Sequence, residues 1–92
     1  MKRYLPKNYV FTNHDGFEIK YSDIIDRIIT VFYEDFRFAP SRSAIRLVFV
    51  AESFLREEYH VQILFDIIDT RKCSRFPKSY MLDFWSCSIE KI

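Results

Sequence analysis

One segment, from Ser22 to Phe36, has apolar residues at helical spacing with polar residues between them. On a helix of about 3.6 residues per turn the apolar side chains fall on one broad arc, formed by Ile24, Ile25, Ile28, Ile29, Val31, Phe32 and Phe36. The opposite arc is polar and consists of Asp23, Asp26, Arg27, Thr30 and Glu34. Ser22 is a suitable N-cap, and Asp23 places negative charge near the positive helix terminus. The pattern predicts an amphipathic helix with one buried arc.

Two short β-prone runs precede this helix. They are Tyr9–Thr12 and Phe17–Tyr21, and a turn cluster from Asn13 to Gly16 separates them. The glycine at the end of the cluster permits a positive φ, so the segment predicts a β-hairpin. After the helix, Pro40 lacks a backbone donor and restricts the residue before it, which predicts that the helix has ended by then.

The chain from Ala44 onward allows two interpretations. Residues 44–51 are rich in β-branched and aromatic side chains, which favours a strand buried on both faces, with Glu52–Glu58 as a loop or short helical turn. The alternative is a helix from Ala44 to Tyr59. It would place one apolar stripe on its surface, made of Ala44, Leu47, Val48, Ala51, Phe54 and Leu55.

The rest of the chain predicts further strands. Residues Tyr59–Ile68 alternate, with an apolar face opposite a face that carries His60, Gln62 and Asp66. Residues Ser79–Ile89 alternate in the same way. The element order is β-β-α-β-β-β, which predicts a single α+β domain over residues 1–92 in which one helix covers a face of an antiparallel sheet. If Tyr59–Ile68 or the last strand lies at a sheet edge, that edge allows pairing with a second copy and hence a homodimer.

Composition limits the classes of function. The chain has 92 residues, of which 49% are hydrophobic and 18% aromatic, enough for one packed core. It contains a single glycine, which argues against a backbone cradle for phosphates. Fourteen basic and 13 acidic residues give a net charge of +1, so the chain lacks the basic excess typical of general nucleic-acid binders and membrane-surface proteins.

The number of cysteines and the shortness of the apolar runs indicate in which cellular compartment the protein resides. Cys73 and Cys87 are too few for a secreted disulfide scaffold. The N-terminal residues include no apolar signal-peptide core, and no apolar run approaches the roughly 20 residues of a membrane span. We therefore expect a cytosolic protein with reduced thiols and no membrane contact.

Few residues suggest catalysis or metal binding. His14 and Asp15 are adjacent in a turn whose Asn and Gly favour a purely structural role. His60, Cys73 and Cys87 match no metal-ligand spacing. Cys73 lies among basic residues that would favour its thiolate, but no partner base can be assigned to it from the sequence. The sequence therefore predicts no enzyme activity, no metal and no cofactor.

The charged residues are segregated and supply the candidate binding sites. Asp23, Asp26 and Glu34 lie on the outer helix arc, where a convex face predicts no cleft for hydrolytic chemistry. The second candidate is the basic segment of residues 71–78, with Arg71, Lys72, Arg75 and Lys78. With Phe76 among them, these cations could hold a phosphate backbone and stack a base.

The segment from Ser41 to Arg46 resembles the Ser-Arg-Ser opening of the second helix in ribbon–helix–helix repressors. Phe17–Tyr21 then resembles their DNA-reading ribbon, and the predicted helix resembles their first helix. The resemblance covers residues 17–58 and implies a DNA-reading role for Glu18 and Lys20. The chain departs from the family pattern because Pro40 stands between the two helices and the usual glycine is missing.

The sequence predicts a small non-enzymatic protein-binding module of the inhibitor, immunity-protein or adaptor type, as phages and mobile elements often encode. Its support is aromatic richness and segregated charge, which favour interfaces and electrostatic steering of a protein partner. The alternative is a DNA- or RNA-binding regulator that uses the basic segment 71–78 or the ribbon–helix–helix-like segment 17–58.

Overall fold

The computed structural model describes residues 3–13, 15–68, 78–84 and 86–92. Its elements, in chain order, are β1 Val10–Thr12, β2 Glu18–Lys20, α1 Tyr21–Phe36, a 3₁₀ turn Arg42–Ala44, β3 Ile45–Leu55, β4 Glu58–Ile67, β5 Lys78–Asp83 and β6 Ser88–Lys91. Strands β1 and β2 form a two-stranded antiparallel sheet, and β3-β4-β5-β6 form a four-stranded one in that order. The predicted α+β class is confirmed. Within the described residues no helix is long and apolar enough to cross a membrane.

The core lies between α1 and one face of the four-stranded sheet. Ile24 and Ile28 on α1 are fully buried, and so are Leu47, Ile63 and Leu82 on three successive strands of the sheet. The period-two pattern of β4 produces this face, because alternate side chains of a strand point to the same side. The helical and strand periodicities of the sequence therefore meet in one core, as predicted.

The N-cap of helix α1 lies two residues earlier than predicted. Strand β2 runs directly into the helix, and Lys20 rather than Ser22 is the N-cap residue. The Lys20 backbone N–H donates to Asp23 Oδ2 at 3.2 Å, so Asp23 in the first turn satisfies a backbone donor and opposes the positive end of the helix dipole. The buried arc is shorter than predicted at its C-terminal end, because Phe36 is 48% exposed.

Residues 45–55 form a strand, so the helical alternative from Ala44 to Tyr59 is wrong. The prediction of a loop over Glu52–Glu58 is also wrong, because β3 continues to Leu55 and pairs with β4 up to the hairpin turn. Arg56 and Glu57 form that turn with φ angles of 53° and 65°. The segment that resembles a second ribbon–helix–helix helix is thus a 3₁₀ turn followed by a strand. Glu18 and Lys20 pair with β1 in a hairpin of the same chain.

The predicted last strand, Ser79–Ile89, is two strands. Strand β5 ends at Asp83, and β6 begins at Ser88 and pairs with it antiparallel. Between them Cys87 has a left-handed φ of 57°. Strand β4 pairs with β3 on one side and β5 on the other, so the prediction that Tyr59–Ile68 could be an edge strand is wrong. The edges of this sheet are β3 and β6, and the homodimer stays a prediction.

The N-terminal segment contacts the edge strand β3 and reaches the second face of the sheet at Asp66. Leu5 N donates to Leu47 O at 2.8 Å. Asp66 was predicted to lie on the polar face of its strand, and it does face away from the core, but it is fully buried. The hydroxyls of Tyr4 and Ser79 donate to its two carboxylate oxygens, at 3.2 and 2.7 Å. These hydrogen bonds compensate for the lost hydration of the carboxyl group.

Candidate partner-binding groove

A groove of about 410 Å³ runs between the outer face of α1 and the turn that follows β5. It is lined by Asp23, Asp26, Arg27, Thr30, Val31, Glu34, Phe84 and Cys87. The β5–β6 turn lies beside the helix and forms a second wall, so the exposed outer face of α1 borders an open groove. All three acidic residues that the sequence nominated for partner binding lie in this groove. We call it the α1 groove.

The wall opposite the helix depends on backbone hydrogen bonds of the turn. Phe84 N donates to Val61 O at 2.8 Å, which fixes the turn to the N-terminal half of β4. Cys87 N donates to Asp83 O at 2.9 Å. Ser86 N donates to the carboxylate oxygen Oδ1 of Asp83 at 3.0 Å. Asp83 therefore closes the turn twice, once through its backbone carbonyl and once through its side chain.

Arg27 joins the two walls of the α1 groove. Its guanidinium carbon lies 5.0 Å from the centroid of the Phe84 ring, within the range of a cation–π contact. Its Nη1 donates to the Sγ of Cys87 at 3.2 Å. The positive charge that the sequence placed among the acids of the helix thus packs against the turn and separates Asp23 from Glu34 along the helix.

The groove retains an excess of negative charge. Its lining contains three carboxylates, on Asp23, Asp26 and Glu34, and one guanidinium, on Arg27. Asp26 forms an ion pair with Arg42, and both side chains are more than half exposed, so this pair adds little to the stability of the fold. Asp23 and Glu34 lie at sites that a cationic side chain of a partner can reach from solvent.

Of the predicted basic segment, residues 71–78, the structure describes only Lys78. Lys78 is the exposed first residue of β5. Arg71, Lys72 and Arg75 lie outside the described residues, and so does Cys73. Nucleic-acid contact through this segment stays a prediction.

The loop of the first hairpin has the structural role that its sequence indicated. The side-chain oxygen of Asn13 accepts hydrogen bonds from Asp15 N at 3.1 Å and from Phe17 N at 2.9 Å. Gly16 has a positive φ of 85°. Asn13 and Gly16 therefore shape the turn through backbone contacts. His14 lies outside the described residues.

A histidine–carboxylate pair lies on the sheet face that points away from α1. His60 Nδ1 contacts Asp83 Oδ2, and the two side chains are only 18% and 15% exposed. Burial alone would raise the pKa of the Asp83 carboxyl group, but hydrogen bonds from Ser86 and His60 together hold that pKa below its ordinary value of 3.8. The register of β4 against β5 brings these two residues together, and the spacing of residues along the sequence does not indicate this pair.

Exposed aromatic side chains gather at the C-terminal end of α1. Phe36 and Phe38 are 48% and 53% exposed. Their ring centroids lie 4.6 and 6.3 Å from that of Phe32, which in turn packs edge-on against Tyr80 at 5.3 Å. A partly exposed aromatic cluster on a buried aromatic base is the composition found at the centre of protein–protein interfaces.

The described residues include no group of three or more His, Cys, Asp or Glu side chains arranged to hold a metal ion. Comparison with known proteins gave no match to any family model, to any curated protein or to any solved structure.

Proposed function

We propose that this protein is a small non-enzymatic binding module that recognises a protein partner through the α1 groove. The proposal includes a cytosolic location with reduced thiols, and an inhibitor, immunity-protein or adaptor role of the kind that phages and mobile elements encode. The observation that carries it is the groove itself, in which the nominated acids Asp23, Asp26 and Glu34 line one cleft of about 410 Å³.

The chemistry of the groove favours a basic segment as the bound part of the partner. Two carboxylates, those of Asp23 and Glu34, flank the Arg27–Phe84 contact at different heights of the helix. Such an arrangement suits lysine or arginine side chains spaced along a peptide, because charge complementarity speeds association and fixes register.

The test is affinity capture from cells of the native source, followed by binding measurements on the captured protein. The double charge reversal Asp23→Lys with Glu34→Lys should weaken that complex at least about tenfold, and raised salt should weaken the wild-type complex. The matched control is Glu18→Lys with Glu57→Lys, two exposed acids outside the groove lining. Equal loss in both double variants, or none in either, would reject the groove as the binding site.

A further inference from the structure

Among the described residues, three aromatic side chains are about half exposed where helix α1 ends. Tyr33, Phe36 and Phe38 expose 52%, 48% and 53% of their surface. Tyr33 and Phe36 are three positions apart on the helix, so they lie on the same side of it. The rings of Phe36 and Phe38 pack on the buried ring of Phe32, with centroid distances of 4.6 and 6.3 Å. We call Tyr33, Phe36 and Phe38 the aromatic patch.

Two charged residues are the chain neighbours of Phe36. Asp35 precedes it in the last turn of the helix, and Arg37 follows it as the C-cap residue. Both are exposed, and within the described part of the chain neither side chain forms an ion pair or a hydrogen bond. The aromatic patch therefore has one unpaired charge of each sign beside it.

The backbone at the end of the helix fixes the position of Arg37. Its φ is left-handed at 55°, and its N–H donates to Tyr33 O at 2.8 Å. The last turn, from Tyr33 to Phe36, contains two acidic residues and no basic one. Asp35 thus lies at the negative end of the helix dipole, where a cation supplied from outside the chain is stabilising.

A second copy of the chain has the composition that this surface requires. In a two-fold dimer the same surface of each copy faces the other, so each contact between two different residues forms twice. The aromatic surface of one copy can then pack on that of the other. One unpaired charge of each sign allows Arg37 to pair with Asp35 in both directions, whereas charges of a single sign would repel their own copy.

The exposed area of the aromatic patch indicates a weak dimer. Each of its side chains has a surface of about 200 Å², so half exposure leaves roughly 300 Å² of aromatic surface per copy, or roughly 600 Å² in the dimer. Stable complexes bury about 1,200 to 2,000 Å² in total, and transient complexes bury less. We therefore expect a Kd of roughly 10 µM to 1 mM.

We propose that two copies of the chain associate through the aromatic patch as a weak two-fold dimer, in which Arg37 of each copy pairs with Asp35 of the other. None of these residues lines the α1 groove, so the dimer does not depend on the proposed function. It also differs from a dimer through a strand edge, because its contacts lie at the end of α1.

The test is sedimentation equilibrium of the full chain at neutral pH from about 10 µM to 1 mM, which measures the Kd of the dimer. Arg37→Glu and Asp35→Arg each replace two attractive charge pairs by two repulsive ones, so each should weaken the dimer at least about tenfold. The matched control is Arg56→Glu, which reverses an exposed arginine outside the aromatic patch that also has a left-handed φ, of 53°. This control should leave the Kd unchanged.

A mixture of the two variants separates charge pairing from damage to the fold. When Arg37→Glu and Asp35→Arg are mixed in equal amounts, both contacts between the chains join opposite charges again. A heterodimer should therefore form with a Kd within about threefold of the wild-type value. A wild-type chain that stays monomeric up to about 1 mM would overturn the proposal. A dimer that Arg37→Glu does not weaken, or a mixture that fails to dimerise, would overturn it as well.

Discussion

Ser53 has a side-chain oxygen that is buried and has no hydrogen-bond partner among the described residues. It lies on β3 directly across from His60, but the ring nitrogens of His60 are directed to Asp83 and Glu58. A buried hydroxyl without a partner costs about 1–3 kcal/mol of folding free energy, since it loses its hydrogen bonds to water. This position therefore reduces the stability of the fold.

We predict that Ser53→Ala raises the free energy of unfolding by about 1 kcal/mol, because the methyl side chain has no polar atom to desolvate. Urea unfolding at neutral pH measures the change. Ser88→Ala, at an exposed serine of β6, is the control and should change stability by less than about 0.5 kcal/mol. A loss of stability in Ser53→Ala would contradict the prediction and indicate that the hydroxyl has a partner in solution.

For single residues, the sequence predicted that the acids of the groove share one surface, but it did not predict the contact between His60 and Asp83. Asp23, Asp26 and Glu34 could be assigned to one surface because helical spacing alone places them together. His60 and Asp83 are 23 positions apart, and they meet through the pairing of β4 with β5. Only strand register could bring them together, and no local pattern specifies it.

The turn between β3 and β4 explains the largest error in the prediction of elements. Two-residue hairpin turns with positive φ at both positions usually contain Asn-Gly, which is the recognisable signal in a sequence. Here Arg56 and Glu57 occupy those positions, with φ angles of 53° and 65°. Because the usual turn residues are absent, residues 52–58 resembled a loop. The hairpin forms because its strands pair along ten residue positions, from Ile45 opposite Ile67 to Leu55 opposite Glu58.

We predict that replacing Arg56-Glu57 with Asn-Gly raises the free energy of unfolding by about 1–2 kcal/mol. The left-handed conformation costs an ordinary L-residue roughly 1–2 kcal/mol, whereas Asn and Gly adopt it readily. Thermal or urea unfolding measures the gain. Replacement with Ala-Ala removes the same charges but gives no such relief, so it should not stabilise the protein. Equal gains in both variants would show that charge removal, and not backbone conformation, is the cause.

Helix α1 was predicted well because its signal is local and repeated. Seven apolar positions specify its buried arc, and five of them, Ile24, Ile25, Ile28, Val31 and Phe32, are buried in the structure. Its last residue, Phe36, follows the same spacing but is half exposed. Periodicity gives the direction of a side chain, whereas the extent of the sheet beneath the helix decides whether that side chain is covered.

At the scale of the whole molecule, two sheets share one core, and Tyr59 connects them. Its hydroxyl donates to Glu52 across the β3–β4 hairpin. It also has a side-chain hydrogen bond with Asn13, in the loop of the β1–β2 hairpin. The sequence predicted the β1–β2 hairpin and a strand on either side of residues 52–58, but it contained no signal for the relative position of the two sheets, since that depends on contacts between residues far apart in the chain.

Tyr59 therefore reports on the docking of the two hairpins. Burial, the hydrogen bond to Glu52 and the negative charges of Glu52 and Asp15 together raise its pKa to about 12, and the hydrogen bond with Asn13 opposes them by lowering it. Since the folded pKa exceeds the ordinary value of 10.0, the stabilisation is complete below pH 10 and is lost as the pH rises towards 12.

We predict that one of the six tyrosines titrates near pH 12 in the folded protein, and that Tyr59→Phe removes this step from the tyrosinate absorbance. Glu52→Gln should shift the step towards pH 10, because it removes a charge that opposes ionisation. Asn13→Ala should shift it upward, because the lost hydrogen bond favours the ionised form. The two substitutions should therefore shift the midpoint of the Tyr59 titration in opposite directions. If Glu52→Gln shifts it and Asn13→Ala does not, the loop of the β1–β2 hairpin does not contact Tyr59 in solution.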